Sequence, residues 1–268
     1  MQVYAEPCIL TARPSEDVMR RVPHVLYGHI SVTEPYSVGR YQSDAARALE
    51  QVRGWGRVPI FVGGTGMYFG VLTEGIADIP PVPAETRAAA QIRRKEIGAE
   101  AFHVELSERD RDSAARLRAS DTQRVLRAYE VFEATGRPLS EWQKEGSTPV
   151  LAGLELARFV LSPSRDELYT RIDARFDRMV EQGAMAEAVA LAGIEASSPA
   201  AKILGRRELL AASAGTMSLE DAKSAAKQAT RQYAKRQLTW FRNRMADWTW
   251  VEATNPRIAD MLLRDQQS

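Results

Sequence analysis

The predicted fold depends on residues 57–68, which read Arg57-Val58-Pro59-Ile60-Phe61-Val62-Gly63-Gly64-Thr65-Gly66-Met67-Tyr68. From Val58 to Val62 the side chains are apolar and mostly β-branched, a composition typical of a strand buried on both faces of a parallel sheet. Glycines at 63–66 end this run, and helix-compatible sequence follows. The stretch therefore predicts a strand, a glycine-rich turn and a helix, the arrangement that open α/β sheets place at their ligand-binding edge.

Thr65 carries the only functional group in this turn. The same residues also fit a tight strand–helix connection in which the glycines serve packing alone. Both interpretations stay open on this stretch by itself.

The sequence on either side predicts two domains. Ser37 is a candidate N-cap for a helix over 37–52, which precedes the strand at 58–62. A proline-rich connector at 79–83 is followed by four helical patterns without a strand, and strand-like sequence returns at 154–161. We therefore predict an α/β core with a parallel sheet over 1–81 and 154–268, and an all-helical insertion domain over 82–153.

Two later helices are predicted from their first residues. Ser164 and Glu167 form a capping-box pattern that begins a helix with an apolar face, and Ser218 with Asp221 begins a second helical pattern over 218–245.

Composition excludes several classes of protein. The chain has 268 residues, a net charge of +1 and one cysteine, so an intramolecular disulfide and a cysteine-based zinc site are excluded. No apolar run approaches the ~20 residues of a membrane helix, and no secretion signal is visible. We expect a cytoplasmic monomer that does not bind membranes.

One interval has charges of a single sign. Between Asp221 and Asp247 there is no acidic residue, which makes this interval a candidate phosphate-binding face. Its cations are Lys223, Lys227, Arg231, Lys235, Arg236, Arg242 and Arg244. The alternative is a solvated helix whose charges lie near acids from elsewhere in the fold.

Several segments together resemble the tRNA dimethylallyltransferase (tRNA isopentenyltransferase) family. They are MQVY at Met1, the segment from Tyr36 to Ala45, VGGTGMY at residues 62–68, DTQRVLRAYEV from Asp121, and AKRQLTWFR from Ala234. The resemblance runs in order from Met1 to about Glu252, and the joint order is more specific than any single motif.

The resemblance implies a P-loop NTPase-like, nucleotide-binding core and a Mg²⁺-assisted prenyl transfer. The donor would be dimethylallyl diphosphate, and the acceptor would be N6 of the adenine 3′ of the anticodon in tRNAs that read U-starting codons. The insertion domain would contact the anticodon stem-loop. Such a base must be flipped out of its stack to react.

The resemblance also leads us to expect an N-terminal truncation. Met1–Tyr4 matches the end of the family's D-S-x-Q-V/I-Y motif, and no Walker A pattern G-x4-G-K-S/T occurs in the chain. The first strand, the P-loop, the first helix and the general-base aspartate would then be missing, and activity would be at most trace. The alternatives are an inactive family member that retains tRNA binding, and a small-molecule nucleotide kinase with a lid domain.

Site residues follow from the same resemblance. Thr65 matches a catalytic threonine near the target nucleotide, and Arg175 matches the arginine that contacts the donor diphosphate. The alternative for Arg175 is an exposed arginine paired with Asp173 or Asp177. No metal ligand is assigned. The tRNA-binding candidates are Met1, Gln2, Thr65, Arg87, Gln123, Arg124, Arg127, Lys202, Gly205, Arg206, Arg207, Lys235, Arg236, Gln237 and Arg242. Arg206 stands where the family usually has an aromatic residue.

Overall fold

The computed structural model describes residues 1–196 and 198–253. Two compact units are present, one made of Met1–Phe69 together with the chain from Gly153 onward, and one made of Gly70–Ala152. We call them the larger and the smaller unit. The smaller unit begins earlier than the insertion domain predicted over 82–153.

The described residues form eleven α-helices, one 3-10 helix and two strands. In chain order they are α1 (Glu16–Arg21), α2 (Val38–Gly54), α3 (Gly66–Thr73), α4 (Ala84–Arg109), α5 (Arg111–Arg116), α6 (Thr122–Thr135), α7 (Leu139–Glu145), β1 (Phe159–Leu161), α8 (Arg165–Glu181), α9 (Ala184–Ala190), the 3-10 helix Pro199–Lys202, α10 (Arg206–Ser213), α11 (Leu219–Arg244) and β2 (Thr249–Val251). None of the helices in this described part has the length and apolar character needed to cross a bilayer.

The sheet is small and parallel. β1 pairs with β2 in the register Phe159↔Thr249 to Leu161↔Val251, and Tyr4 forms an isolated parallel bridge with Ile30. The protein is therefore a mostly helical α/β structure. β1 is shorter than the strand-like sequence at 154–161 suggested.

The prediction of a strand at 58–62 is wrong. No strand forms there among the described residues, and Val58, Ile60 and Val62 are 62%, 77% and 74% exposed. The local composition suits a strand, but a strand exists only where a second segment offers backbone partners. No such partner lies beside this run in the described chain.

Three predicted helix starts are confirmed by their caps. The Ser37 hydroxyl accepts a hydrogen bond from the Arg40 amide, the Ser164 hydroxyl from the Glu167 amide, and the Ser218 hydroxyl from the Asp221 amide. Each cap satisfies an amide that has no acceptor within its own helix. These caps begin α2, α8 and α11.

In the larger unit, the predicted apolar face of α8 is buried. Ile172, Phe176 and Met179 each expose less than a tenth of their surface, and Phe176 packs in a core with Tyr4 and Leu209. Most of the other positions of α8 carry polar side chains, and several of them belong to the candidate site described below.

In the smaller unit, α4 to α7 enclose a core that includes Phe102, Leu106 and Val125. α4 is kinked at Gly98, whose φ of 80° and ψ of 171° are not helical. Asp110 is buried and accepts four hydrogen bonds of 2.6–3.0 Å, from the amide and hydroxyl of Ser113 and of Ser140. Burial disfavours its charge, but these bonds hold the pKa of Asp110 below its usual value, so the carboxylate ties α5 to α7.

Candidate functional site

A cavity of about 390 Å³ lies in the larger unit between the loop that precedes α1 and helix α8. Arg13, Arg175 and Arg178 line its cationic part. Its apolar lining includes Ile9, Met19 and Met179. The cavity therefore offers positive charge and apolar surface side by side.

Arg175 is not paired with the acids on its own helix. Asp173 accepts from Arg231 of α11 at 2.7 and 2.8 Å, and Asp177 accepts from Lys227 at 2.8 Å. Within the described chain, no carboxylate lies within salt-bridge distance of Arg175 or Arg178. Desolvation and the neighbouring Arg178 charge lower the pKa of Arg175. Arg175 is exposed, as the alternative interpretation has it, but the pairing with Asp173 or Asp177 in that alternative is wrong.

The glycine-rich turn rests on helix α11. The side-chain amide of Gln237 donates to the carbonyl of Gly64 at 2.6 Å, and a Cβ on Gly66 would lie 2.1 Å from the Trp240 ring. Glycine is required at residue 66 because the indole occupies the space of a side chain. Thr65 is half-buried in this turn, and its carbonyl accepts from the Tyr68 amide to begin α3.

This contact changes the role of Gln237. It was predicted to bind tRNA, but its amide nitrogen is held by the Gly64 carbonyl, so it serves to fix the turn that carries Thr65. Trp240 packs against the same turn, in line with a packing role.

Helix α11 divides into two halves with different electrostatic surroundings. Lys223, Lys227 and Arg231 pair with Asp177 and Asp173 of α8. Lys235, Arg236, Arg242 and Arg244 are exposed, and among the described residues none of these four forms a salt bridge. A surface depression of about 480 Å³ follows this second half. Its lining is Gln232, Lys235, Arg236, Thr239, Trp240 and Asn243.

The smaller unit brings some of its predicted residues together. Burial lowers the pKa of Arg127, the buried Glu130 opposes this shift, and the Arg87 charge adds to it, so these three groups interact. Gln123 and Arg124 are exposed at the start of α6, where Arg124 pairs with Asp121 at 3.2 Å. The two arginines of α6 are thus in different environments.

Two further tRNA-binding candidates, Arg206 and Gly205, are buried. Arg206 is buried, and its guanidinium donates to the carbonyls of Leu191 and Ala192, so it is a structural residue that cannot stack on a base. Gly205 is also buried, with φ of 83°, and a Cβ there would lie 2.6 Å from the Phe176 ring.

The remaining predicted residues have mixed environments. Lys202 is exposed, and Arg207 is exposed beside Glu208 at 3.0 Å. Met1 is exposed, while the Gln2 amide donates to the Ala12 carbonyl at 2.9 Å.

Sequence reasoning missed Arg13, because an isolated arginine in a loop has no pattern that marks it. In residues 1–196 and 198–253, no group of three His, Cys, Asp or Glu side chains could hold a metal ion.

Fold and site together define a mostly helical α/β protein with an amphipathic, arginine-lined cavity and a basic helix. Residues 2–244 match the family model described as IPP transferase. The chain belongs to the IPP transferase family. This assignment excludes the alternative of a small-molecule nucleotide kinase.

Individual relatives of known sequence or structure agree with this family assignment. The chain is 44% identical over 266 residues to a tRNA dimethylallyltransferase of Bradyrhizobium sp. (strain ORS 278), covering 98% of this chain and 85% of that relative. It is similar to the crystal structure of a tRNA delta(2)-isopentenylpyrophosphate transferase from Staphylococcus epidermidis, with a TM-score of 0.64, 30% identity, and coverage of 98% and 85%. A eukaryotic dimethylallyltransferase acting on tRNA gives a TM-score of 0.79 at 26% identity, with coverage of 99% and 69%.

Proposed function

We propose that this protein transfers a dimethylallyl group from dimethylallyl diphosphate to N6 of the adenine 3′ of the anticodon in tRNAs that read U-starting codons. Family membership and the names of the relatives support a tRNA prenyl transfer. The observation that carries the proposal is Arg175, which faces an amphipathic cavity while the acids of its own helix are paired with α11.

The cavity chemistry suits the donor. A guanidinium binds diphosphate oxygens through two parallel hydrogen bonds, and Arg175 and Arg178 are free of carboxylates among the residues that the structure describes. The apolar side chains of Ile9, Met19 and Met179 suit the dimethylallyl chain. Negative charge grows on the diphosphate as the allylic C–O bond breaks, so fixed cations stabilise the transition state more than the ground state.

The acceptor side uses the basic half of α11 and the glycine-rich turn. Lys235, Arg236 and Arg242 would contact stem-loop phosphates, and Arg87, Gln123, Arg124 and Arg127 of the smaller unit would add further contacts. Thr65 would bind the flipped adenine with its hydroxyl and orient the reacting amine. As the C–N6 bond forms and the allylic C–O bond breaks, the proton released from N6 would pass to the departing diphosphate or to solvent. Gln237 and Trp240 hold that turn in place.

Mg²⁺ is part of the proposal because it commonly accompanies diphosphate chemistry. The described residues do not form a magnesium site by themselves: the acid that lines the cavity, Glu16, lies 3.6 Å from the Arg20 guanidinium. The ion would therefore be held mainly by diphosphate oxygens, and no step above depends on it.

We also infer that the small parallel sheet belongs to a P-loop NTPase-like core. The support is the parallel pairing of β1 with β2 and the βα order of β1 and α8.

Transfer of a labelled dimethylallyl group to an anticodon stem-loop tests this function. Arg175→Ala should lower kcat/KM for the donor by about 100-fold or more, since it removes charge-assisted bonds to the leaving group. Stem-loop affinity should change little. Arg53→Ala removes an exposed arginine at the end of α2 and is the matched control. Equal donor use by wild type and Arg175→Ala would place the chemistry in another site.

A further inference from the structure

We propose that Arg13 is an additional contact of the donor diphosphate and that Glu187 is the residue that positions it. This inference rests on the function proposed above. It concerns the loop that faces α8 across the cavity, which the sequence patterns did not mark as functional.

Glu187, in the first turn of α9, fixes this loop through its backbone. Its carboxylate accepts hydrogen bonds from three consecutive amides, those of Cys8 at 3.0 Å, Ile9 at 2.7 Å and Leu10 at 2.9 Å. Consecutive amides that converge on one anion form a concave nest, a geometry that also binds phosphates. Here the anion is an internal carboxylate, so the nest serves to set the shape of the loop.

The loop continues as a compact turn up to Arg13. The Ala12 amide donates to the Ile9 carbonyl at 2.9 Å, and the Arg13 amide donates to the Cys8 carbonyl at 3.0 Å. Ala12 has φ of 50°, a left-handed conformation that an alanine adopts only when its surroundings enforce it. The direction in which Arg13 leaves the backbone therefore depends on the residues that Glu187 holds.

The guanidinium of Arg13 is held along one edge. Its Nη1 donates to the carbonyls of Tyr4 at 3.2 Å and Ala5 at 2.8 Å, and its Nη2 contacts Cys8 Sγ. Gly28 leaves room for it, because a Cβ there would lie 2.2 Å from Nη1. The two carbonyls orient the group without cancelling its charge.

The opposite edge of Arg13 has no partner of its own. Across residues 1–196 and 198–253, no acceptor contacts Nε and no carboxylate pairs with the guanidinium. Arg175 and Arg178 line the same cavity and also lack carboxylates there. The cavity lining holds three arginines against one acid, Glu16, which pairs with Arg20, so positive charge is in excess and a diphosphate with several negative charges offsets it. The geometry therefore points to an anion shared by both walls of the cavity.

Calorimetric titration of the full chain with inorganic diphosphate and with dimethylallyl diphosphate tests the proposal. Arg13→Ala should weaken both affinities by about 10-fold, the effect of one lost charge-assisted contact. Arg13→Lys, which keeps the charge but not the fork, should weaken them less. Arg53→Ala should bind like the wild type.

A double-mutant cycle separates positioning from mere support of the fold. Glu187→Gln should weaken diphosphate binding several-fold in the wild type but add nothing in the Arg13→Ala background, because its effect passes through Arg13. Additive losses would overturn the positioning role of Glu187. If Arg13→Ala does not fold, the same cycle with Arg13→Lys decides.

The outcomes also distinguish this inference from the proposed function. Wild-type affinity in Arg13→Ala, together with weakened binding in Arg175→Ala, would overturn the role of Arg13 and leave the proposed function standing. Wild-type affinity in both Arg13→Ala and Arg175→Ala would overturn the donor site as a whole.

Discussion

The two halves of helix α11 carry the same kind of charge but have different surroundings. Lys227 and Arg231 in the first half lie at 2.7–2.8 Å from the carboxylates of α8. Lys235 and Arg242 in the second half have no such partner in the described part of the chain. A stretch of sequence with charges of one sign therefore does not form one uniformly charged surface. The structure identifies the second half as the one whose charge is available to a ligand.

The spacing of two helices explains the division. Asp173 and Asp177 are four residues apart, as are Lys227 and Arg231, so each helix presents one charged pair on a single face. The pairs meet in antiparallel order, Asp177 with Lys227 and Asp173 with Arg231. This contact also removes both acids from the reach of Arg175. The paired half of α11 therefore contributes indirectly to the proposed donor site.

The largest expected effect comes from removing cations in the second half of α11, and it concerns the affinity for RNA. Lys235→Ala with Arg242→Ala should weaken binding to an anticodon stem-loop by roughly 10-fold or more, and should lower the slope of log K against log[salt] by about 1.4 to 1.8, since each lost phosphate contact removes about 0.7 to 0.9. Filter binding over a range of salt concentrations measures both. Lys223→Ala with Lys227→Ala is the matched pair from the other half and should leave the slope nearly unchanged. Equal effects of the two pairs would contradict the division.

A smaller effect should come from releasing the paired half. Asp173→Asn with Asp177→Asn keeps the shape of α8 but frees Lys223, Lys227 and Arg231, so stem-loop affinity at low salt should rise by about 3-fold to 10-fold. The same salt titration gives the slope, which should become steeper. An unchanged slope would mean that the first half lies away from the RNA even when its charges are free.

The helices could be predicted from the sequence because their determinants are local. The caps at Ser37, Ser164 and Ser218 and the apolar face of α8 each lie within a few residues of the structure they specify. The strand at 58–62 could not be settled in this way. Its pattern is equally clear, but a strand depends on a partner that is distant in sequence, and no such partner pairs with it among the described residues.

The site shows the same limit. Arg175 was found from the resemblance, and the pairing of Asp173 and Asp177 with α11 explains its free charge. The contact between Glu187 and Ile9 spans 178 positions of sequence, so no local pattern could indicate it. Arg206 failed as a tRNA contact for the same reason, because its burial depends on the carbonyls of Leu191 and Ala192 that fold over it.

The smallest effect is on stability, and its dependence on pH tests the paired half directly. The hydrogen bond from Lys227 is the main cause that holds the pKa of Asp177 below its usual value, with Lys223 contributing. A carboxyl whose pKa is lower in the folded state stabilises the protein above its unfolded pKa of about 4, and this contribution is lost as pH falls through the folded pKa.

Lys227→Ala should therefore cost roughly 0.5 kcal/mol at pH 7, because the pair is partly exposed and Lys223 still contacts Asp177. Urea titrations at pH 7 and pH 3 should show this cost shrinking at the lower pH, because pH 3 lies below the unfolded pKa of Asp177 and the unfolded chain is then stabilised by binding a proton there. Lys235→Ala, from the half without carboxylates, should show the same free-energy change at both pH values. A cost of Lys227→Ala that is equal at pH 7 and pH 3 would show that packing of the lysine chain, and not its charge, joins α11 to α8.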